Sequence, residues 1–420
     1  MIEQAPSGNI DHRYNALDFR ILPLSVHKLI SPLYIIIQAT YNLFLHPLAS
    51  FPGPLHYRAS ILPWAFHSFR GNITFEVLRL HEIYGSVVRI SPSELCFSDS
   101  QAWRDIYMTQ DGKENPKYRG VYGRAIGHIA ESLLVAAKEN HKVMRGILAE
   151  GFSSRAVRGH EKLIMAHVDT MIQQLKHIYH ERVNENQEHD GEIYRAKAIK
   201  IDLNQWLYWY ATDVITDLTI GESLHGLQNL ETAPYLQFLT VAPKLLLKAA
   251  VLSHLGLGAM VDLMAQIFAG QFSQMSADLT QRLKSQHGRK LEKRGDLAEL
   301  MTEANKIRLL TDEQLLGTAN FLVIAGSETI TLTLTAFIYF VASNPKHLSR
   351  LKHEIHSAFQ ADHEITLKRT EKLEFLNACL KEALRISPAV AGGPPRVVAK
   401  GGRLISGVFV PQDASPSLSA

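Results

Sequence analysis

The chain has 420 residues, 46% of them hydrophobic and 20% charged, the balance of a globular protein rather than a disordered one. A net charge of +3 is too mild and too dispersed for nucleic-acid recognition. Two cysteines, Cys96 and Cys379, provide neither a disulfide framework nor a Cys-x-x-Cys metal site, so one large helical domain folding in a reducing compartment is expected.

Residues 1–20 are polar and read as a loosely ordered tail. Leu29–Leu45 then runs without a charge, at the lower limit of the roughly 17–25 residues a membrane span needs. Pro32 interrupts it, so a segment lying in the interface is the alternative. Prolines at 47, 52 and 54 stiffen and turn the chain. The pattern predicts a helix over 78–84, short strands over 87–90 and 94–97, and a loop over 110–123. His141 and Arg145, four apart, share one helix face and can grip a single anion; a solvated basic face is the other reading. Residues 184–200 read as a charged linker, and 206–221 as an apolar helix. Its Asp213 and Asp217 look like a catalytic pair, but a solvated face or a cap on a neighbour is the better expectation. Residues 235–272 are apolar with scattered glycines, and 284–294 read as a solvated basic helix end.

From Glu313 to Val341 there is no proline, and large apolar residues recur every three or four positions, predicting one helix of roughly 43 Å. A helix apolar on every side belongs in a core or a membrane. Its centre nevertheless carries Gly326, Ser327, Glu328 and Thr329. A mid-helix glycine costs about 1 kcal/mol against alanine, and a buried carboxylate costs more unless paired. Two readings stand. Gly326 allows close helix packing and Thr329 bonds to its own backbone one turn back, or the stretch is a functional site. Asn344-Pro345 stops the helix, and 351–359 and 373–386 read as further helices. Glu382 and Arg385, three apart on the latter, can form a salt bridge, expected to be buried. Residues 392–396 and 405–411 read as turns and short strands, and 413–420 as a small, polar tail.

Ala325-Gly326-Ser327-Glu328-Thr329 on a long helix resembles the oxygen-binding helix of cytochromes P-450, the haem-thiolate monooxygenases. Other stretches support the resemblance in order along the chain. They are the proline-rich hinge after residue 46, Tyr84-Gly85-Ser86-Val87-Val88-Arg89-Ile90, residues 111–116, His141 with Arg145, Glu382 with Arg385, and Gly392 to Arg396. Several are similar to fungal members. The resemblance implies a fold that is mainly α with small β sheets and a haem b cofactor. It assigns Thr329 and Glu328 to proton delivery, and Ala325 and Gly326 to making room beside the haem. It gives His141, Arg145 and Arg396 the haem carboxylates, and Glu382 with Arg385 the bracing of the haem loop. It further implies a small apolar substrate of fungal secondary metabolism and an NADPH-dependent reductase. Location is implied on the cytosolic face of the endoplasmic reticulum membrane, with residues 1–50 as tail, candidate anchor and hinge, and 51–420 as the monooxygenase domain.

The family's axial cysteine lies on a loop beyond Glu-x-x-Arg, and this chain closes at Ala420 before such a loop. Cys96 and Cys379 read as small core hydrophobes instead, so no metal ligand is assigned. The expectation is a C-terminally truncated member, inactive as written, with a haem-poor binding or interaction protein as the alternative. No His-Glu-x-x-His, Gly-x-Gly-x-x-Gly or Gly-x-Ser-x-Gly occurs to support a zinc protease, a dinucleotide loop or a hydrolase elbow.

Overall fold

The long apolar run folds as one helix, Asp312–Ala342, one residue longer at each end than the pattern predicts. Its start is a reciprocal cap, in which Thr311 Oγ1 accepts the Gln314 N–H at 3.2 Å and Gln314 Oε1 accepts the Thr311 N–H at 3.0 Å. The computed structural model describes residues 24–109, 114–118, 132–187, 200–232, 244–245, 247–253, 255–264, 266–267, 281–282 and 294–418. The expected tail at 1–20, most of the 110–123 loop and 184–200 linker, much of 235–272 and all of 284–293 lie outside them.

In chain order the helices are α1 (Leu24–Thr40), α2 (Leu55–Ala59), α3 (Leu62–Arg70), α4 (Ile73–Tyr84), α5 (Ser100–Tyr107), α6 (Lys138–Gly151), α7 (Ser154–Gly159) and α8 (Glu161–Gln187). They continue with α9 (Leu203–Ile220), α10 (Gly226–Asn229), α11 (Leu297–Lys306), α12 (Asp312–Ala342), α13 (Pro345–Ala358), α14 (Leu367–Thr370) and α15 (Glu374–Ile386). The architecture is mostly helical with small sheets, as expected. Among the described residues α12 is the one helix long and apolar enough to cross a membrane. It is a core helix: α9 lies along it, and α11, α13 and α15 also pack on it.

Three contacts set the α9–α12 crossing. Asn204 Nδ2 donates to Thr335 Oγ1 at 3.2 Å; Thr331 Oγ1, which donates to the Ser327 carbonyl at 2.7 Å, stands 3.5 Å from the Leu207 carbonyl; and Ile215 fills the space beside Gly326. A Cβ on Gly326 would stand 2.6 Å from Ile215 Cγ1, so here the glycine is the residue that lets two helices approach. Around this crossing Met144, Leu148, Tyr208, Leu297, Met301, Leu316 and Val323 form the main hydrophobic core.

The sheets pack around cores of their own. Strands β1 (Val87–Ser91) and β2 (Glu94–Phe97) pair antiparallel, with Val88 opposite Cys96. Strands β3 (Arg403–Ile405) and β4 (Val408–Val410) make a hairpin whose turn residues, Ser406 and Gly407, both have positive φ. A third strand, β5 (Ser415–Leu418), runs parallel to β2 with Glu94 opposite Ser415 and Phe97 opposite Leu418. The small, polar tail is therefore in part a sheet strand, a role its composition does not announce. Arg89 locks this sheet to the hinge. It is fully buried and donates to the carbonyls of Asn42 at 2.9 Å and Pro92 at 2.6 and 3.1 Å. Burial, with Arg58 nearby, pulls its guanidinium down to about 10. Gly53 passes so close that a Cβ there would meet the Arg89 carbonyl oxygen at 2.5 Å.

At the N-terminus α1 contains Pro32 and runs into a π-helical turn, Tyr41–Leu45. Leu33 to Ile37 are each more than half exposed, so this segment buries little apolar surface against the rest of the chain.

Candidate functional site

The polar centre of α12 is ordered by its own backbone. Ser327 Oγ donates to the Val323 carbonyl at 2.7 Å, Thr329 Oγ1 to the Ala325 carbonyl at 2.6 Å, and Thr333 Oγ1 to the Thr329 carbonyl at 2.8 Å. Each hydroxyl thus doubles a carbonyl one turn back, a pattern that loosens a helix locally. The close-packing reading of Gly326 and the back-bonded reading of Thr329 are both contacts the structure makes.

Glu328 is partly buried on this stretch. Burial pushes its carboxyl above the usual range, and Lys244 works in the opposite sense. The buried Tyr208 of α9 feels it: burial first, and then the Glu328 charge, push the phenol upward. Because the folded-state value lies above the unfolded one, Glu328 favours the fold below the unfolded carboxylate range, and that contribution is lost as pH rises through the folded value. Glu328→Gln is therefore expected to melt about 1–2 °C above the unsubstituted chain near pH 8, the gap closing toward pH 4. Thermal melts across that range check this, and a gap that widened on acidification would refute it.

A second cluster forms where the residue 114–118 segment meets the chain after α15. Lys117 and Arg396 occupy an antiparallel bridge, and the Val397 N–H donates to the Pro116 carbonyl at 2.9 Å. Arg396 is thereby fixed with Nη1 4.0 Å from Glu114 and its guanidinium 5.7 Å from the centre of the Tyr107 ring. Its Nε is buried and has no hydrogen-bond partner among the described residues. Lys117 Nζ donates to the Leu134 carbonyl at 2.7 Å and, at 3.4 Å each, to those of Leu133 and Ala136. From α6 come His141, partly buried, and Arg145, exposed. Burial, then the charges of Lys117 and Arg145, hold the His141 imidazole below its ordinary value. Glu114 is the nearby carboxylate, and it also lies 3.5 Å from Lys138. Such an excess of donors around an unpartnered, buried N–H has the chemistry to take a carboxylate. The sequence brings His141, Arg145 and Arg396 into view but not Lys117, which belongs to no regular element and carries no motif of its own.

Other expected residues take different places. Glu382 and Arg385 pair at 2.7 Å, but their side chains are 54% and 70% exposed, so the expected buried ion pair is a surface one. An exposed pair of this spacing adds little to stability because water screens it. Asp213 and Asp217 are not a catalytic dyad. Asp213 accepts the Gly226 and Leu227 N–H groups at 2.9 Å each and caps α10, while Asp217 pairs with His167 and Arg294. Cys96 lies in the core between β1 and β5, its thiol pushed up to about 12 by burial. Cys379 on α15 is partly exposed rather than buried, and burial raises its thiol as well. Neither belongs to the cation cluster.

Compared with known proteins, residues 52–418 match the family model of cytochrome P450. Cytochrome P450 monooxygenase tpeC of Talaromyces stipitatus is 33% identical over 405 residues, covering 94% of this chain and 74% of that protein. Cytochrome P450 monooxygenase 1 of Neocamarosporium betae is 30% identical, covering 90% and 74%. The fusicoccadiene 8-ol C-16-hydroxylase of Phomopsis amygdali is also 30% identical, covering 90% and 71%.

Proposed function

The chain belongs to the cytochrome P450 family, and from that premise we propose that it is a monooxygenase inserting one oxygen atom from O2 into a small apolar substrate of fungal secondary metabolism. In this reading Lys117, His141, Arg145 and Arg396 hold haem carboxylates, and Ala325 to Thr329 form the proton-handling stretch. The observation that carries it is the excess of cations around the buried, unpartnered Nε of Arg396, which suits the two propionates of a haem. Haem b, the family's cofactor, supplies oxygen activation at its iron when bound.

The chain's own groups do the rest. Arg396 and Arg145 would hold haem carboxylates with their guanidiniums, and Lys117 keeps positive charge beside them while tethered to three carbonyls. Thr329 Oγ1 holds its proton against the Ala325 carbonyl and can turn it toward a bound substrate by a rotation about χ1. Glu328, its carboxyl raised by burial, gives and takes a proton closer to neutral pH than an exposed glutamate. Ala325 presents a small side chain beside these groups, while Gly326 is taken up by the packing of Ile215 and the Glu382–Arg385 pair lies at the surface of α15.

Electrons come from a reductase, the family's redox partner, and we assign an NADPH-dependent one. The exposed apolar segment Pro32–Leu45, followed by the proline hinge, supports a tail at 1–50 that anchors the 51–420 domain on the cytosolic face of the endoplasmic reticulum.

The test is a reduced carbon-monoxide difference spectrum of the full chain after haem reconstitution. Because neither cysteine joins the cation cluster, a haem Soret shift without a thiolate-type band is the expected result, and a thiolate-type band would overturn the expectation that the chain as written is inactive. A second reading, a haem-poor binding protein, is favoured by one observation, that burial raises both thiols and neither joins the cation cluster. Absence of any Soret shift on haem addition would establish that reading and overturn the first.

A further inference from the structure

Arg396 and Lys117 of the cation cluster sit on two stretches of irregular chain, residues 395–399 and 114–118. Residues 395–399 are held along one side by the end of the chain. The Arg396 N–H donates to the Pro416 carbonyl at 3.4 Å, Ser415 Oγ to the Arg396 carbonyl at 3.0 Å, and the Val398 N–H to the Ala414 carbonyl at 2.9 Å. Along the other side lie residues 114–118, where the Val397 N–H donates to the Pro116 carbonyl at 2.9 Å and the Tyr118 N–H to the Pro395 carbonyl at 3.2 Å.

Asn115 supplies a further attachment, through its side chain. It is 0% exposed. Its Nδ2 donates to the Ile106 carbonyl at 3.0 Å, and its Oδ1 accepts the Ala399 N–H at 3.5 Å. Ile106 lies in the last turn of α5 and shares one hydrophobic core with Val398. One buried amide therefore ties residues 114–118 to two walls of the same core. The main chain of Asn115 reaches the guanidinium itself, its carbonyl accepting Arg396 Nη1 at 3.5 Å.

A purely structural role is the simpler possibility. Carbonyls in the last turn of a helix lack an intrahelical partner, and Asn115 satisfies one of them on α5. Its chain neighbours argue for more. Glu114 lies 4.0 Å from Arg396 Nη1, Pro116 accepts the N–H of the residue after Arg396, and Lys117 stands opposite Arg396 in the bridge. Fixing Asn115 fixes all three against the arginine. We propose that Asn115 is a positioning residue, which holds Arg396 in place to take a haem carboxylate. This role rests on the haem reading for its ligand and on the contacts above for its mechanism.

Haemin titrations of four haem-free chains test it: unsubstituted, Asn115→Ala, Arg396→Ala and the double variant. N115A is expected to bind haemin about three- to tenfold more weakly than the unsubstituted chain. The same change made in R396A should cost less than about twofold, because the residue through which it acts is already gone. A merely structural asparagine would give equal losses in both backgrounds. That result, or no loss in the unsubstituted background, overturns the positioning role while R396A alone still upholds the haem reading. An R396A chain of unchanged affinity fails the haem reading instead, and the role falls with it. Should N115A not fold, hydrogen–deuterium exchange on the unsubstituted haem-free chain decides. Peptides covering 114–118 and 395–399 must exchange at least about tenfold more slowly than unstructured chain, and exchange at the unstructured rate overturns the role.

Discussion

Replacing Arg396 with alanine is expected to weaken haem binding about ten- to hundredfold while leaving the fold intact. The guanidinium is held in place by backbone pairing at its own residue, and its nearest ionic neighbour, Glu114, is 4.0 Å away. Removing it therefore disturbs little protein structure but deletes one charge-assisted bidentate contact, about 1.5–3 kcal/mol. Titrating haemin into the haem-free chain and following the Soret band gives the ratio directly. Arg396→Lys should fall between the two, because an ammonium keeps the charge and loses the fork. An R396A chain that binds haemin as tightly as the unsubstituted one would remove the cation cluster from the proposed site.

Gly326→Leu is expected to destabilise the protein by about 2–3 kcal/mol. The first added carbon would already stand 2.6 Å from Ile215 Cγ1 and 2.9 Å from its Cδ1, so the α9–α12 crossing must open or Ile215 must leave its rotamer. The same substitution combined with Ile215→Ala should recover more than half of the loss, since the two sites share one volume. Urea melts of the three variants measure it, and additive losses would show that the clash is not where the geometry puts it. Gly326→Ala is a milder probe, in which a helix-propensity gain of about 1 kcal/mol works against the displacement of Ile215.

Much of this was legible in the residues, for reasons that differ by element. The long helix declares itself because its apolar spacing persists over many turns without a breaker, while the Thr311–Gln314 cap that starts it emerges from the structure. His141 and Arg145 fall on one face by arithmetic. What the residues conceal is everything set by remote partners. Ile215 beside Gly326 is such a case, and so are His167 and Arg294 on Asp217. Lys117 becomes visible only when its segment is paired with Arg396. Exposure is concealed too. Glu382 and Arg385 read identically whether their face is covered or bare, and the structure leaves it bare. β5 is hidden for a local reason, since Ser415-Pro416-Ser417-Leu418 has little strand propensity and is recruited by an edge that was already waiting.

That recruitment sets a schedule for biosynthesis. Glu94 and Ser415 face one another in the parallel pair, so at about 5–20 residues per second a ribosome needs tens of seconds after making β2 to deliver its neighbour. Throughout that interval the nascent hairpin shows open N–H and C=O groups to every passing strand. Chaperone dependence during translation, and aggregation when synthesis outruns chaperone supply, should accordingly originate at residues 94–97 rather than at the apolar core helix.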